Sequence, residues 1–254
     1  MRLQRYLAQA GVSSRRQAEY LIATGAVSVN GVVVNTLGST VGAKDRVSVN
    51  GRRVMPEAPI YRLMLKPRAC LSTLTKTGAR PTLAQYLRDA EPGLQVVAPL
   101  DFPAEGVVLL TTDGALAQAI TKGKPGHVAM TYHLKLQGLV KDEDIGRLLR
   151  GWRWEGRPVK PASVAPIATT EKNTWIEMVV DETRPRALKG GCEWIKHSLL
   201  KISRVRFGGL SFEGLAMGGW RDLSRAEVAD LRKRAGLSAG EHAPPRAPSA
   251  RSAR

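Results

Sequence analysis

Two Asn-Gly pairs constrain the start of this chain more tightly than any other feature. Asn30-Gly31 sits between Val27-Ser28-Val29 and Val32-Val33-Val34, and Asn50-Gly51 follows the repeated strand pattern of Val47 and Val49. Asn and Gly accept the positive backbone angles of a two-residue turn, so the first pair predicts a tight hairpin and the second closes another strand. Ahead of them, Leu3, Tyr6, Leu7 and Ala10 recur at helical spacing until Gly11 stops the turn. Ser14 with Gln17 then makes a capping box for a second helix carrying Ala18, Leu21 and Ile22, and Gly25 closes it. Residues 1–50 are therefore expected to form a compact module of two short helices feeding a small sheet.

Charge gives this module a partner class. In residues 1–53 eight Lys or Arg face only Glu19 and Asp45, and Arg2, Arg5, Arg15 and Arg16 lie on or beside the two helices, placed to grip phosphates. Across the chain, 39 Lys or Arg against 22 Asp or Glu leave a net charge of +17, which implies a polyanionic partner. Nucleic acid fits better than an anionic membrane surface, because no segment pairs a basic face with a long apolar one. No apolar run approaches a membrane span and no signal-peptide pattern is present. Cys70 and Cys192 are too few for a disulfide framework and lack the paired spacing of a zinc site, so reduced thiols and a cytoplasmic location are expected.

Residues 51–59, "GRRVMPEAP", have Gly, two Pro and no sustained periodicity, and are expected to be a linker. A second domain is expected over residues 60–236. "YRLMLKP", "VVLLTTDG", "MTYHLKLQG", "TWIEMVVDE" and "LLKISRVRFGGL" read as strands, while "ALAQAITKG" and "DEDIGRLLRG" read as helices. Strands and helices without regular alternation predict an α+β fold with a mixed, mainly antiparallel sheet. Residues 237–254, rich in Ala, Pro, Ser and Arg, are expected to be a disordered basic tail.

One acidic residue stands out within this second region. Asp101, in "APLDFPAEGVVLLTTDG", lies between a Pro-flanked lead-in and a buried-looking strand. By pattern alone it reads as a turn former.

Two resemblances change that reading. "RLQRYLAQAGVSSRRQAEYLIATGAVSVNGVVV" resembles the small RNA-binding domain named after ribosomal protein S4, which implies that the basic face binds structured RNA. In order and at suitable separations, "MLKPRACLST", "RPTLAQYL", "LDFPAEGVVLLTTDG", "TYHLKLQG", "ETRPRALK" and "RVRFGGLSFEGLAMGGWRDLS" resemble the RsuA-like branch of the pseudouridine synthases that modify ribosomal RNA. That resemblance spans about residues 1–230. It implies that Asp101, matching the Asp of a Gly-Arg-Leu-Asp-x-x-Thr-x-Gly segment, is the essential catalytic residue. It implies that Tyr132 packs against the target base and that Lys189 is the basic partner of the aspartate, with Arg184 and Arg186 contacting RNA. Ribosomal RNA as partner, a monomeric protein, and no metal or organic cofactor follow from the same likeness.

The chemistry explains those residue types. Isomerising uridine requires cleaving the bond from sugar to ring nitrogen and rejoining the uracil through carbon, with no redox change. A carboxylate serves as nucleophile or as proton acceptor, a neighbouring cation keeps it ionised, and an aromatic ring holds the detached base. This chain departs from the family pattern around the site. Ala98-Pro99 replace Gly-Arg, Ala104 replaces Thr, Met130 replaces the Lys of Lys-Thr-Tyr, and Arg186-Ala187-Leu188-Lys189-Gly190-Gly191-Cys192 replaces Arg-Gln-Val-Arg-Arg-Met-Phe. The alternative reading is a catalytically weakened RNA-binding homologue acting in ribosome assembly.

Overall fold

The computed structural model describes residues 1–42, 44–56, 58–87, 91–122, 128–181 and 184–238, apart from the side chain of Arg15. The expected basic tail falls almost wholly outside them.

Both Asn-Gly turns form. Asn30 and Gly31 have φ of 54° and 86°, and Asn50 and Gly51 have φ of 48° and 76°, the doubly positive geometry that matches strand twist in a two-residue hairpin. Helices α1 (Leu3–Gln9) and α2 (Arg15–Ala23) precede strands β1 (Val27–Val29), β2 (Val32–Val33), β3 (Val47–Val49) and β4 (Arg52–Val54). The strands make an antiparallel sheet in the order β2-β1-β3-β4. Ser14 caps α2 by accepting from the Gln17 amide at 3.3 Å. Leu3, Leu7, Ala18, Ile22, Val27, Val41 and Val47 form the module's own apolar core.

The expected linker begins later than its composition suggests. Arg52-Arg53-Val54 is a strand, pairing with β3 from Val49↔Arg52 to Val47↔Val54. It shows no alternation because it is an exposed edge, and two arginines suit an edge that must not recruit a foreign strand.

The larger sheet is built from β5 (Tyr61–Lys66), β6 (Gln95–Val97), β7 (Glu105–Thr111), β8 (Met130–Gln137), then β11 (Ser163–Thr169), β12 (Asn173–Val180), β13 (Leu199–Phe207), β14 (Leu210–Ser211) and β15 (Trp220–Asp222). Between β8 and β11 the chain forms a separate hairpin, β9 (Trp152–Trp154) with β10 (Arg157–Val159). The helices are α3 (Gly114–Lys122), α4 (Asp142–Arg150), α5 (Pro185–Trp194) and α6 (Arg225–Arg234). Sheet order is β11-β12-β8-β13-β7-β5-β15, with β14 beside β13 and β6 beside β7. The fold is α+β with a mixed, mostly antiparallel sheet.

Among the described strands, β7 and β13 form the parallel pair, and they join two otherwise antiparallel halves. At this seam Gly106 lies opposite Arg204 with φ of 122°. A Cβ there would sit 2.5 Å from the Arg204 amide nitrogen, so only glycine lets the two backbones approach. Lys201 reaches Glu105 at 2.7 Å beside the seam, and Ser203 Oγ donates to the same carboxylate at 2.9 Å. Burial works to raise the Glu105 pKa, but these two partners carry it below the usual carboxylate range.

Candidate active site

Asp101 sits on the loop between β6 and β7, five residues before the seam glycine. Three anchors fix the backbone of that loop. At its start, Ala98 adopts φ of 48°, a left-handed conformation costing about 1 kcal/mol for a residue with a Cβ, and its carbonyl accepts from Arg204 Nη2 at 2.7 Å. In the middle, Ser72 Oγ donates to the Leu100 carbonyl at 2.6 Å and accepts from the Leu100 amide at 3.1 Å. At its end, the Ala104 carbonyl accepts from Lys66 Nζ at 2.6 Å, while the Ala104 amide turns back to the Asp101 carbonyl at 3.1 Å.

Two of these anchors are wholly buried cations. Arg204 also donates through Nε to the Val107 carbonyl at 2.8 Å, and its Nη1 lies 3.4 Å from Tyr132 Oη. Burial pulls its pKa below the ordinary arginine value, with Tyr132 opposing. Lys66 is fully enclosed at the end of β5, and burial holds its pKa down to about 8, with Cys70 and then Asp101 pulling it back up. Both cations neutralise backbone carbonyl dipoles from below, so the loop carrying Asp101 is tied to the core at both ends.

Above the loop, the arrangement is open. The Asp101 side chain is one-third exposed, and the cation facing it is Arg186, with Nε 3.6 Å from Oδ1. Lys189, expected as the partner of the aspartate, instead faces Glu193 at 3.6 Å, one turn further along α5. The helix explains the difference: Arg186 lies in the first turn of α5, where Pro185 opens the helix, and Lys189 lies three residues on. Arg184, expected to contact RNA, pairs with Glu155 at 3.1 Å. Tyr132, expected to pack against a base, has no exposed surface, and its hydroxyl lies 3.6 Å from Met130 Sδ. It is joined to the Asp101 loop through Arg204.

Arg204 and Lys66 were absent from the residues singled out by sequence. A signal for Arg204 existed: period two along β13 places it on the face of buried Ile202, and an arginine on an apolar face asks for a reason. Lys66 closes a strand that is buried along its whole length. Both cysteines are buried and free.

Helix α5 holds a second surprise, because Gly190-Gly191 in a helix costs roughly 2 kcal/mol against two alanines. The space their side chains would fill is occupied by indoles. A Cβ at Gly191 would lie 2.5 Å from Trp152 Cζ2, and one at Gly190 would overlap the Trp154 ring.

In the small module, Arg16 is exposed and Arg2 flanks α1, its backbone bridged to Thr40. Arg5 lines a cavity of about 560 Å³ with Gln9, Ser14, Gln118 and Lys122, and Asp101 is not among its lining residues. Among the described residues, no cluster of side chains suits a metal and no helix is long and apolar enough to cross a membrane.

These features place the chain among proteins that join a small basic module of two helices and a short sheet to a larger mixed-sheet unit carrying a partly exposed acid. Residues 1–47 match the S4 domain family. The fold resembles a crystal structure of a pseudouridylate synthase with TM-score 0.59 and 24% identity, covering 91% of this chain and 99% of that one. The sequence is 34% identical to ribosomal large subunit pseudouridine synthase B of Bacillus subtilis, over 91% of this chain and 95% of that protein. It is 32% identical to an uncharacterized RNA pseudouridine synthase of Aquifex aeolicus, over 93% and 96% of the two chains. The chain belongs to the RNA pseudouridine synthase family, in the RsuA-like branch that carries an amino-terminal S4 domain, and it is an enzyme of the isomerase class.

Proposed function

We propose that this protein isomerises a specific uridine of ribosomal RNA to pseudouridine, with Asp101 as the reacting carboxylate. The observation that carries this reading is the placement of Asp101: a partly exposed acid beside Arg186, on a loop anchored at Ala98, Leu100 and Ala104. The reaction breaks the bond between C1′ and N1 and forms one between C1′ and C5, while C5 gives up a proton and N1 gains one. No oxidant and no energy input are needed. A carboxylate offers a nucleophile for the sugar or an acceptor for its proton, and either role requires it ionised at an accessible rim. Arg186 presents an exposed positive charge beside the carboxylate, within reach of an RNA phosphate.

The target uridine has to leave its stack to reach Asp101, because the glycosidic bond is enclosed in a paired helix. Arg2, Arg5, Arg15 and Arg16 of the S4 module hold the flanking RNA by its phosphates, a contact that weakens with salt. Arg184 supports the rim through Glu155 rather than offering a lone charge to RNA. The protein works as a monomer in the cytoplasm and uses no cofactor. Mapping pseudouridine in ribosomal RNA from cells with the wild type, without the protein, and with Asp101→Asn tests the proposal. One site should vanish in the last two, and a map unaffected by Asp101→Asn overturns it. Full recovery of a deletion strain's ribosome profile by Asp101→Asn would favour the assembly-factor reading instead.

A further inference from the structure

We propose that the β9–β10 hairpin is the positioning element of the active site: Trp152 and Trp154, seated on Gly190 and Gly191, set where α5 presents Arg186 to Asp101. The inference rests on Asp101 being the reacting carboxylate.

Three contacts, spread along α5, converge from this one hairpin. Glu155 at the hairpin turn pairs with Arg184 at 3.1 Å, just before the helix. The Trp152 indole N–H donates to the Ala187 carbonyl at 2.9 Å, and that residue adjoins Arg186. Further on, the two indole rings lie against the two glycines. The hairpin therefore touches the helix on both sides of the cation that faces Asp101. Arg186 itself is 78% exposed, so its own packing cannot hold it, and its position comes from the helix beneath. Glycine in a helix interior is otherwise unfavourable, which makes the paired glycines a fitted seat for rings rather than neutral filling.

The geometry makes the claim sharp. A methyl group at position 190 would meet the Trp154 ring well inside ordinary carbon contact, and relieving the overlap requires a shift of about 1 Å. Such a shift displaces Arg186 from Asp101, and its cost is bounded by that of losing the Arg186 side chain, about fivefold in rate. With Trp154 removed, alanine at position 190 fits and favours the helix.

The test compares wild type, Asp101→Asn, Gly190→Ala, Trp154→Ala with Gly190→Ala, and Trp152→Phe, using a ribosomal RNA transcript in single-turnover and steady-state assays. Gly190→Ala should lower kcat by up to about fivefold, the loss expected for Arg186→Ala, with KM changed by no more than about twofold. The Gly190→Ala/Trp154→Ala pair should regain most of that loss. Trp152→Phe removes the donor and shortens the ring seated on Gly191, and should lower kcat about twofold while lowering the melting temperature by only a few degrees. A crystal structure of Gly190→Ala should show α5 displaced from the hairpin and Arg186 farther from Asp101. Wild-type kcat in both Gly190→Ala and Trp152→Phe, a double variant no better than Gly190→Ala, or an unmoved α5 overturns the proposal. Should Gly190→Ala fail to fold, Trp152→Phe decides by its kcat alone. Absence of pseudouridine formation by wild type would instead defeat the isomerase reading, and the position of α5 would still decide this one.

Discussion

The underside and the upper side of the Asp101 loop are built on opposite principles. Below, Arg204, Lys66 and Ser72 fix backbone atoms through bonds of 2.6 to 2.7 Å, two of them from cations with no exposure. Above, a solvent-exposed Arg186 faces the carboxylate at 3.6 Å, beyond hydrogen-bonding distance. An exposed pair of this kind contributes up to about 1 kcal/mol, whereas a buried carbonyl that loses its donor costs about 1–3 kcal/mol. The protein thus fixes where the acid stands and leaves its charge environment open to an incoming polyanion.

That contrast can be broken at five points. Asp101→Asn removes the reacting group while keeping shape, and turnover should fall by at least about 10⁴-fold, measured by single-turnover pseudouridine formation. A smaller loss would mean that the upper side, or another residue, carries the chemistry. Arg204→Met attacks the underside. It orphans the carbonyls of Ala98 and Val107 but relieves the burial of a charge, and these opposing costs should leave the protein folded. Its turnover should drop about 10²-fold through loss of loop geometry, and a stable variant with unchanged rate would show that the loop holds itself.

On the upper side, Arg186→Ala should reduce turnover about fivefold, the equivalent of up to 1 kcal/mol, and Lys189→Ala by less than about twofold. Reversal of that order would return Lys189 to the role its sequence position suggested. The Lys66 prediction reads stability rather than turnover. Its folded-state pKa of about 8 lies below the ordinary value of 10.5, so between those limits the unfolded chain binds more protons. Stability relative to Lys66→Met should therefore rise from pH 8 to 10.5, and urea denaturation across that window checks it. A flat difference would show that the amine is not desolvated.

Sequence reading reached the parts of this molecule whose causes are local. The Asn-Gly hairpins, the Ser14 cap and the alternation of Met130–Gln137 depend on neighbours within a few residues. The elements it missed depend on distant ones. Strand β4 has two arginines in three positions and exists because β3 offers it an edge. Helix α5 contains two glycines and is completed by indoles that precede it by more than thirty residues. In the site, family likeness led to Asp101, but an ungapped match could not tell which cation of Arg184, Arg186 and Lys189 faces it, because helix phase decides that. Arg204 was hidden for a similar reason: its partners are backbone carbonyls, which leave no mark in side-chain patterns.

The seam between β7 and β13 has a bearing on how the molecule comes into being. Gly106 and Arg204 are nearly a hundred positions apart, and pairings of such wide separation form late because a large loop must first be closed. During synthesis the Asp101 segment therefore emerges with two of its anchors, Lys66 and Ser72, already made, and acquires the third, Arg204, only when most of the polypeptide has been made.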